Sequence, residues 1–269
     1  MAKNFLINGD KKNSLSPFDR GLAFGDGAFR TLVEDNKPKQ WNAHYNKLAK
    51  DLESIDIPSP SDKLLLSDIQ KLFPEKGIFI AKIIVTRGES TSGYDFKKEI
   101  KPTRILLKID YDKEKYALFK EGVHLTTSKI RASDTSHAGI KHLNRLENVL
   151  ARKGLANKFF DAIMLDVNDN ICDCARSSLF IRYGKNLFTS SNKRYGIHGV
   201  TKKIIEKNIK KLNLTMNYSP LKLDQLKEAD EVIVTNSIFG ALPVLSFKNI
   251  KWNKGKLANL INKLINESH

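Results

Sequence analysis

Lys141 stands in the stretch AGIKHLNRLENVLAR, after a short glycine-containing segment and before a run rich in helix formers. Leu143, Leu146, Val149 and Leu150 fall at helical spacing, which predicts a helix with one buried face. A lysine held near the core at such a junction loses solvation. Its pKa falls, and the free amine becomes a usable nucleophile or base. A lysine that merely opens an amphipathic helix keeps its charge in water, and spacing alone does not choose between the two. A second candidate is Gly199-Val200-Thr201, ahead of KKIIEKNIKKL. It reads as a helix start whose unpaired amides favour an anion, or as a plain glycine turn.

These residues need elements to hold them. Short strands are expected at 5–8 and 28–33, the second after the turn FGDG, and helices over 42–55 and 64–72. The apolar runs GIFIAKIIVT (77–86) and RILLKI (104–109) read as strands. Beyond residue 123 the pattern predicts a strand, the helix led by Lys141, and strands at 162–165, 178–181 and 186–188. A helix over 200–212, strands at 215–218 and 231–235, and a terminal helix over 257–265 complete it. The reading is two α/β domains, 1–116 and 123–269, joined by a linker at 117–122.

The chain has 269 residues, of which 41% are hydrophobic and 28% charged, which suits a folded globular protein rather than a disordered one. No apolar run is long enough to span a membrane, and the start MAKNFLINGDKK has no apolar signal core. Cys172 and Cys174 are too close for a structural disulfide and have no companions that complete a zinc pattern, so no metal is expected and a reducing cytoplasm is. Lys and Arg number 46 against 30 Asp and Glu, a net charge of +16. Such an excess can serve nucleic acid. Here the lysines are scattered through every segment, and those at 202–211 share a helix with Ile204, Ile205, Ile209 and Leu212 on its other face. That pattern reads as a solvated face, with attraction for small anions as its consequence.

Six phrases occur in order: SPFDRGLAFGDGAFRTL, VTRGESTSGYDF, AGIKHLNRLENVLA, CDCARSSLF, GIHGVTKKII and ADEVIVTNSIFGALPV. Together they resemble the fold-type IV pyridoxal-phosphate enzymes, which include branched-chain and D-amino-acid aminotransferases and the aminodeoxychorismate lyases. AGIKHLNRLE is most similar to the lyase branch. The resemblance implies a small N-terminal α/β domain and a larger C-terminal one with the cofactor, pyridoxal 5'-phosphate, at their interface. It also implies a homodimer and a catalytic role for Lys141, which would carry the cofactor and then act as base and acid at the substrate carbon.

The same resemblance implies that Asp173 bonds the pyridine nitrogen, where the family has a glutamate. Val200, Thr201 and Ser237 would hold the phosphate, and so would Lys47 in AHYNKL, at the place of a family arginine. Phe29 would form an aromatic wall and Tyr94 a loop closing over substrate, while Arg176 is either a substrate-carboxylate contact or a surface charge. Arg30 stands where transaminases commonly carry glutamate, and strand alternation sends it away from the Phe29 face. Ser92 stands where D-amino-acid transaminases carry an arginine. The implied reaction is a lyase step giving 4-aminobenzoate and pyruvate from 4-amino-4-deoxychorismate, an anionic small molecule, in folate biosynthesis. An aminotransferase of the same fold is the second reading, and a non-catalytic basic protein binding nucleic acid the third.

Overall fold

The computed structural model describes residues 4–11, 14–96, 99–191 and 193–267; the expected domains' first and last residues lie outside that set. The chain divides into two compact units. One holds the residues up to Tyr111 together with Ile140–Asn144, and the other holds Asp112–Gly139 and the chain from Arg145 onward.

In the first unit, β1 (Phe5–Ile7), β2 (Gly27–Asp35), β3 (Ile78–Thr86) and β4 (Thr103–Asp110) form an antiparallel sheet in the order β1-β4-β3-β2. The short helix α1 (Arg20–Phe24) precedes β2, capped by the Asp19 carboxylate on the Gly21 amide. Helices α2 (Trp41–Glu53) and α3 (Asp62–Leu72) turn Leu48, Leu52, Leu65 and Ile69 into the same core as Leu6, Leu32, Ile83 and Leu106 of the sheet. Alternation along β2 puts Ala28, Arg30 and Leu32 on the core face and leaves Phe29 and Thr31 on the other.

In the second unit, α4 (Lys113–Phe119) leads into β5 (Val123–Thr127), and α5 (Leu146–Arg152) into β6 (Asp161–Leu165), β7 (Ile171–Cys174), β8 (Ser178–Tyr183) and β9 (Asn186–Phe188). Helix α6 (Val200–Asn208) follows and tightens into a 3-10 turn at Ile209–Leu212. Strand β10 (Thr215–Asn217), a second 3-10 turn (Leu223–Glu228), β11 (Glu231–Asn236), β12 (Gly240–Phe247), β13 (Ile250–Lys251) and α7 (Leu257–Glu267) complete the unit. Its mixed sheet runs β10-β9-β8-β11-β12-β5-β6-β7, with β13 beside β12. Leu125, Ile163, Leu179, Val234 and Leu242 lie in its core.

Three expectations change. Residues 117–122 are the end of α4 and the turn after it, and the division between units falls between Tyr111 and Asp112. Lys141 does not open a helix: α5 begins only at Leu146, and residues 140–144 leave the second unit's chain to join the first unit. The apolar stripe of α5 is not buried either; Leu146 is 67% exposed and Val149 63%. Helical spacing reports that a face is apolar, but not what covers it.

Candidate active site

The residues around Lys141 lie alongside β2 in extended conformation. The Phe29 amide donates to the Lys141 carbonyl and the Leu143 amide to the Gly27 carbonyl, each at 3.0 Å, with Ala28 and His142 bridged between them. Gly27 permits this crowding: a Cβ there would stand 2.4 Å from the Val85 carbonyl oxygen and 2.9 Å from a Leu143 methyl carbon. The Lys141 amine then lies 4.5 Å from the centre of the Phe29 ring. A second amine, that of Lys82, lies 5.1 Å from the same ring. Lys82 is directly opposite Thr31 in the β2–β3 ladder, so Phe29, Thr31 and Lys82 share the sheet face that points away from the core.

On the core face, Arg30 and Asp51 form an ion pair in which both side chains are buried. The Lys47 ammonium, one helical turn before Asp51, bonds the other carboxylate oxygen. Arg30 also donates to the Lys47 carbonyl at 3.1 Å. Burial lowers the pKa of Arg30 and of Lys47, and Asp51 pulls each back towards its charged form. His44 is fully enclosed, with neither ring nitrogen hydrogen-bonded. Burial, and then the charges of Arg30 and Lys141, depress its pKa to about 3, so the ring is neutral.

The loop carrying Tyr94 is organised from beneath by Arg20. The Arg20 guanidinium donates to the carbonyls of Ser92 (3.1 Å), Gly93 (2.7 Å), Tyr94 (3.2 Å) and Asp95 (3.2 Å). Its Nε donates to Asp26 at 2.8 Å, and Arg87 donates to the same carboxylate. Burial alone would raise the pKa of Asp26, but the bonds and charges of Arg87 and Arg20 outweigh it and the value falls. Tyr94 itself is 88% exposed.

In the second unit, Gly199 caps α6 and has no side chain to take the first-turn amides. The Thr201 hydroxyl at that end lies 3.4 Å from the Ser237 hydroxyl, delivered by the turn after β11. Asp173 is buried on β7, where Oδ1 accepts the Leu179 amide at 3.0 Å. Lys202, one residue along α6 from Thr201, is buried with its ammonium donating to the Ser190 carbonyl. Burial lowers the pKa of Lys202, and the charges of Asp173 and Glu206 oppose that fall. Arg176 is engaged within its own unit: its guanidinium donates to the Phe160 carbonyl at 2.9 Å and stacks 4.1 Å above the Phe160 ring.

Sequence reading missed Lys82, Asp51, His44 and Arg20. Lys82 left one signal, a single charge inside the otherwise apolar run IFIAKIIVT. Asp51 left a weak one, an acid one helical turn after Lys47, while its other partners, Arg30 and Lys141, are 21 and 90 residues away.

A small antiparallel sheet unit and a larger mixed-sheet unit define a fold-type IV pyridoxal-phosphate enzyme. The chain belongs to the amino-transferase class IV family, whose model matches residues 27–247. The chain is similar to the aminodeoxychorismate lyase of Vibrio harveyi, 26% identical over 89% of this chain and 90% of that protein. It is also similar to a D-alanine aminotransferase of Staphylococcus aureus, 26% identical over 98% and 95%. Among solved structures, the 4-amino-4-deoxychorismate lyase of Pseudomonas aeruginosa superposes with a TM-score of 0.89 at 29% identity, covering 98% of each chain.

Enzymes of this fold use pyridoxal phosphate, and the donor chemistry of each unit suits it. The first unit offers an amine beside an aromatic ring. The second offers a helix N-terminus with two hydroxyls, suited to a phosphate, and a buried carboxylate, suited to a protonated ring nitrogen.

Proposed function

We propose that this chain is a pyridoxal-phosphate-dependent lyase that converts 4-amino-4-deoxychorismate to 4-aminobenzoate and pyruvate. The observation that carries the reading is the pair of amines, Lys141 and Lys82, over the single Phe29 ring. One amine would serve the chemistry and the other a carboxylate, beside an aromatic surface that suits a cyclic anionic substrate. The likeness to two named lyases supports the same choice. Ser92 weighs against a D-amino-acid transaminase, because a hydroxyl cannot make an arginine's bidentate carboxylate bond.

In this reading Lys141 carries the cofactor. Val200 and Thr201 at the start of α6, with Ser237, would hold its phosphate, and Asp173 would hold its ring nitrogen. Lys47, paired with Asp51, would add its positive charge to the phosphate site. The bound cofactor supplies an electron sink for charge developing at the amine-bearing carbon. The Lys141 amine, freed once the substrate amine takes its place, would remove the proton from that carbon as the C–O bond to the enolpyruvyl group breaks, and would return one to the departing pyruvate. Phe29 packs against the substrate ring, Lys82 takes a carboxylate, and Tyr94 covers the substrate from its loop. Arg176 is held by Phe160, and this reading gives it no substrate contact.

We also propose a homodimer. The exposed Leu146, Val149 and Leu150 of α5 form an apolar stripe of the kind a second copy covers. Among the described residues no helix is long and apolar enough to cross a membrane. We place the protein in the cytoplasm on a different ground, the free thiols of Cys172 and Cys174, which suit a reducing compartment.

The decisive assay supplies chorismate, glutamine and the upstream synthase with and without this protein, and measures 4-aminobenzoate. Protein-dependent product is expected. A parallel incubation with D- or branched-chain amino acids and 2-oxoglutarate addresses the aminotransferase reading, which the similarity to D-alanine aminotransferases keeps in play. Rapid glutamate formation without 4-aminobenzoate would overturn the lyase.

A further inference from the structure

We propose that Asp51 is a positioning residue for Lys141, fixing where that amine emerges along β2. The inference rests on the reading of Lys141 as the reactive lysine. Asp51 is 1% exposed on α2, and its carboxylate joins three separate pieces of chain. Oδ2 accepts the Lys141 backbone amide at 3.0 Å and also an Arg30 guanidinium N–H, while Oδ1 accepts the Lys47 ammonium.

The 140–144 segment has no helix or long strand of its own to hold it. It is fixed along β2 by the two bonds from Phe29 and Leu143 and from behind by Asp51. A slip of one residue would turn the Lys141 side chain from the Phe29 face towards the core. A charged carboxylate resists that slip better than a neutral acceptor, because bonds to an ionised group are the stronger ones. Asp51 in turn needs partners to stay ionised in the core, and Arg30 and Lys47 supply them. The remaining titratable group of the cluster, His44, is neutral and competes for none of these bonds. Arg30 and Lys47 thus keep the carboxylate charged, and its bond to the Lys141 amide does the positioning.

The test uses the full chain, pyridoxal phosphate and borohydride, with peptide mapping of the reduced product. Wild-type protein is expected to be labelled at Lys141. The double variant Arg30→Leu, Asp51→Leu removes the fully buried ion pair together and takes the Asp51 counter-charge from the less deeply buried Lys47; the melting temperature is the control that the fold survives. Labelling at Lys141 is expected to slow at least tenfold in that variant, with cofactor binding weakened to a similar degree. Asp51→Asn keeps an acceptor for the amide but leaves Arg30 and Lys47 without their counter-charge, so it should recover only part of the rate. A folded double variant labelled at the wild-type rate overturns the proposal while leaving the Lys141 reading intact. Failure of wild-type protein to label at Lys141 sinks the Lys141 reading, and the proposal with it. Hydrogen exchange of the wild-type Lys141 amide adds a check that needs no variant: strong protection is expected, and exchange at the rate of an open loop rejects the proposal.

Discussion

The Lys141 amine stands 4.5 Å from the centre of the Phe29 ring, and the Phe29 amide donates to the Lys141 carbonyl at 3.0 Å. Backbone and side chain of the two residues are therefore coupled, and the ring forms one wall of the space around the amine. With Lys141→Ala the chain should lose both the visible absorbance that pyridoxal phosphate acquires on joining a lysine and all measurable 4-aminobenzoate formation. Losing a positioned base and acid alone costs about 100- to 10,000-fold. Retention of the absorbance band in the variant would assign the cofactor to another lysine.

Among the described residues Lys82 makes neither a hydrogen bond nor an ion pair, and its ammonium lies over the Phe29 ring. A substrate carboxylate would supply the missing counter-charge. Lys82→Met should raise KM roughly 10- to 100-fold with little change in kcat, the size of one lost charge-assisted bond of about 1.5–3 kcal/mol. Steady-state kinetics decide the point: a fall in kcat at unchanged KM would rule out Lys82 as a binding contact.

Thr201 and Ser237 approach to 3.4 Å through their hydroxyls at an uncapped helix start. Thr201→Val and Ser237→Ala should each weaken cofactor binding by about 1 kcal/mol. Because the two groups touch, the double variant should lose an amount different from the sum. Fluorescence titration of the apo-protein with pyridoxal phosphate measures all three, and unchanged affinity would remove both residues from the phosphate site.

Glu34 is a buried carboxyl whose Oε2 has no hydrogen-bond partner. Burial, then repulsion from Asp35, raises its pKa from 4.5 to about 7. The folded chain therefore holds a proton that the unfolded chain gives up. The stabilising contribution is complete below about pH 4.5 and is lost as pH rises towards and through 7, by about 3 kcal/mol at most. Denaturant melts from pH 5 to 8 should show wild type losing stability relative to Glu34→Gln; parallel curves for the two would reject the shift.

Much of this molecule was legible from local signals. Phrases such as FGDGAFRTL and GIHGVTKKII carry their geometry with them, a glycine where two chains crowd and a glycine before a helix. The apolar, β-rich runs likewise placed β3 and β4, and the turn FGDG placed β2, to within a few residues. The helix expected to begin at Lys141 failed for a physical reason. Spacing from Leu143 to Leu150 marks an apolar stripe, but pairing with β2 outweighs helix propensity for residues 140–144.

The sequence by itself determined the family and the lysine on which its chemistry is proposed to turn. Only the tertiary structure brought Lys82 to the Phe29 ring and the Asp51 carboxylate to the Lys141 amide. Lys82 reaches Phe29 through the register of two strands, and Asp51 reaches Lys141 across 90 residues of chain. Propensity and periodicity act over a turn or a strand, whereas contacts at that separation exist only once the sheet and the helix packed on it have formed.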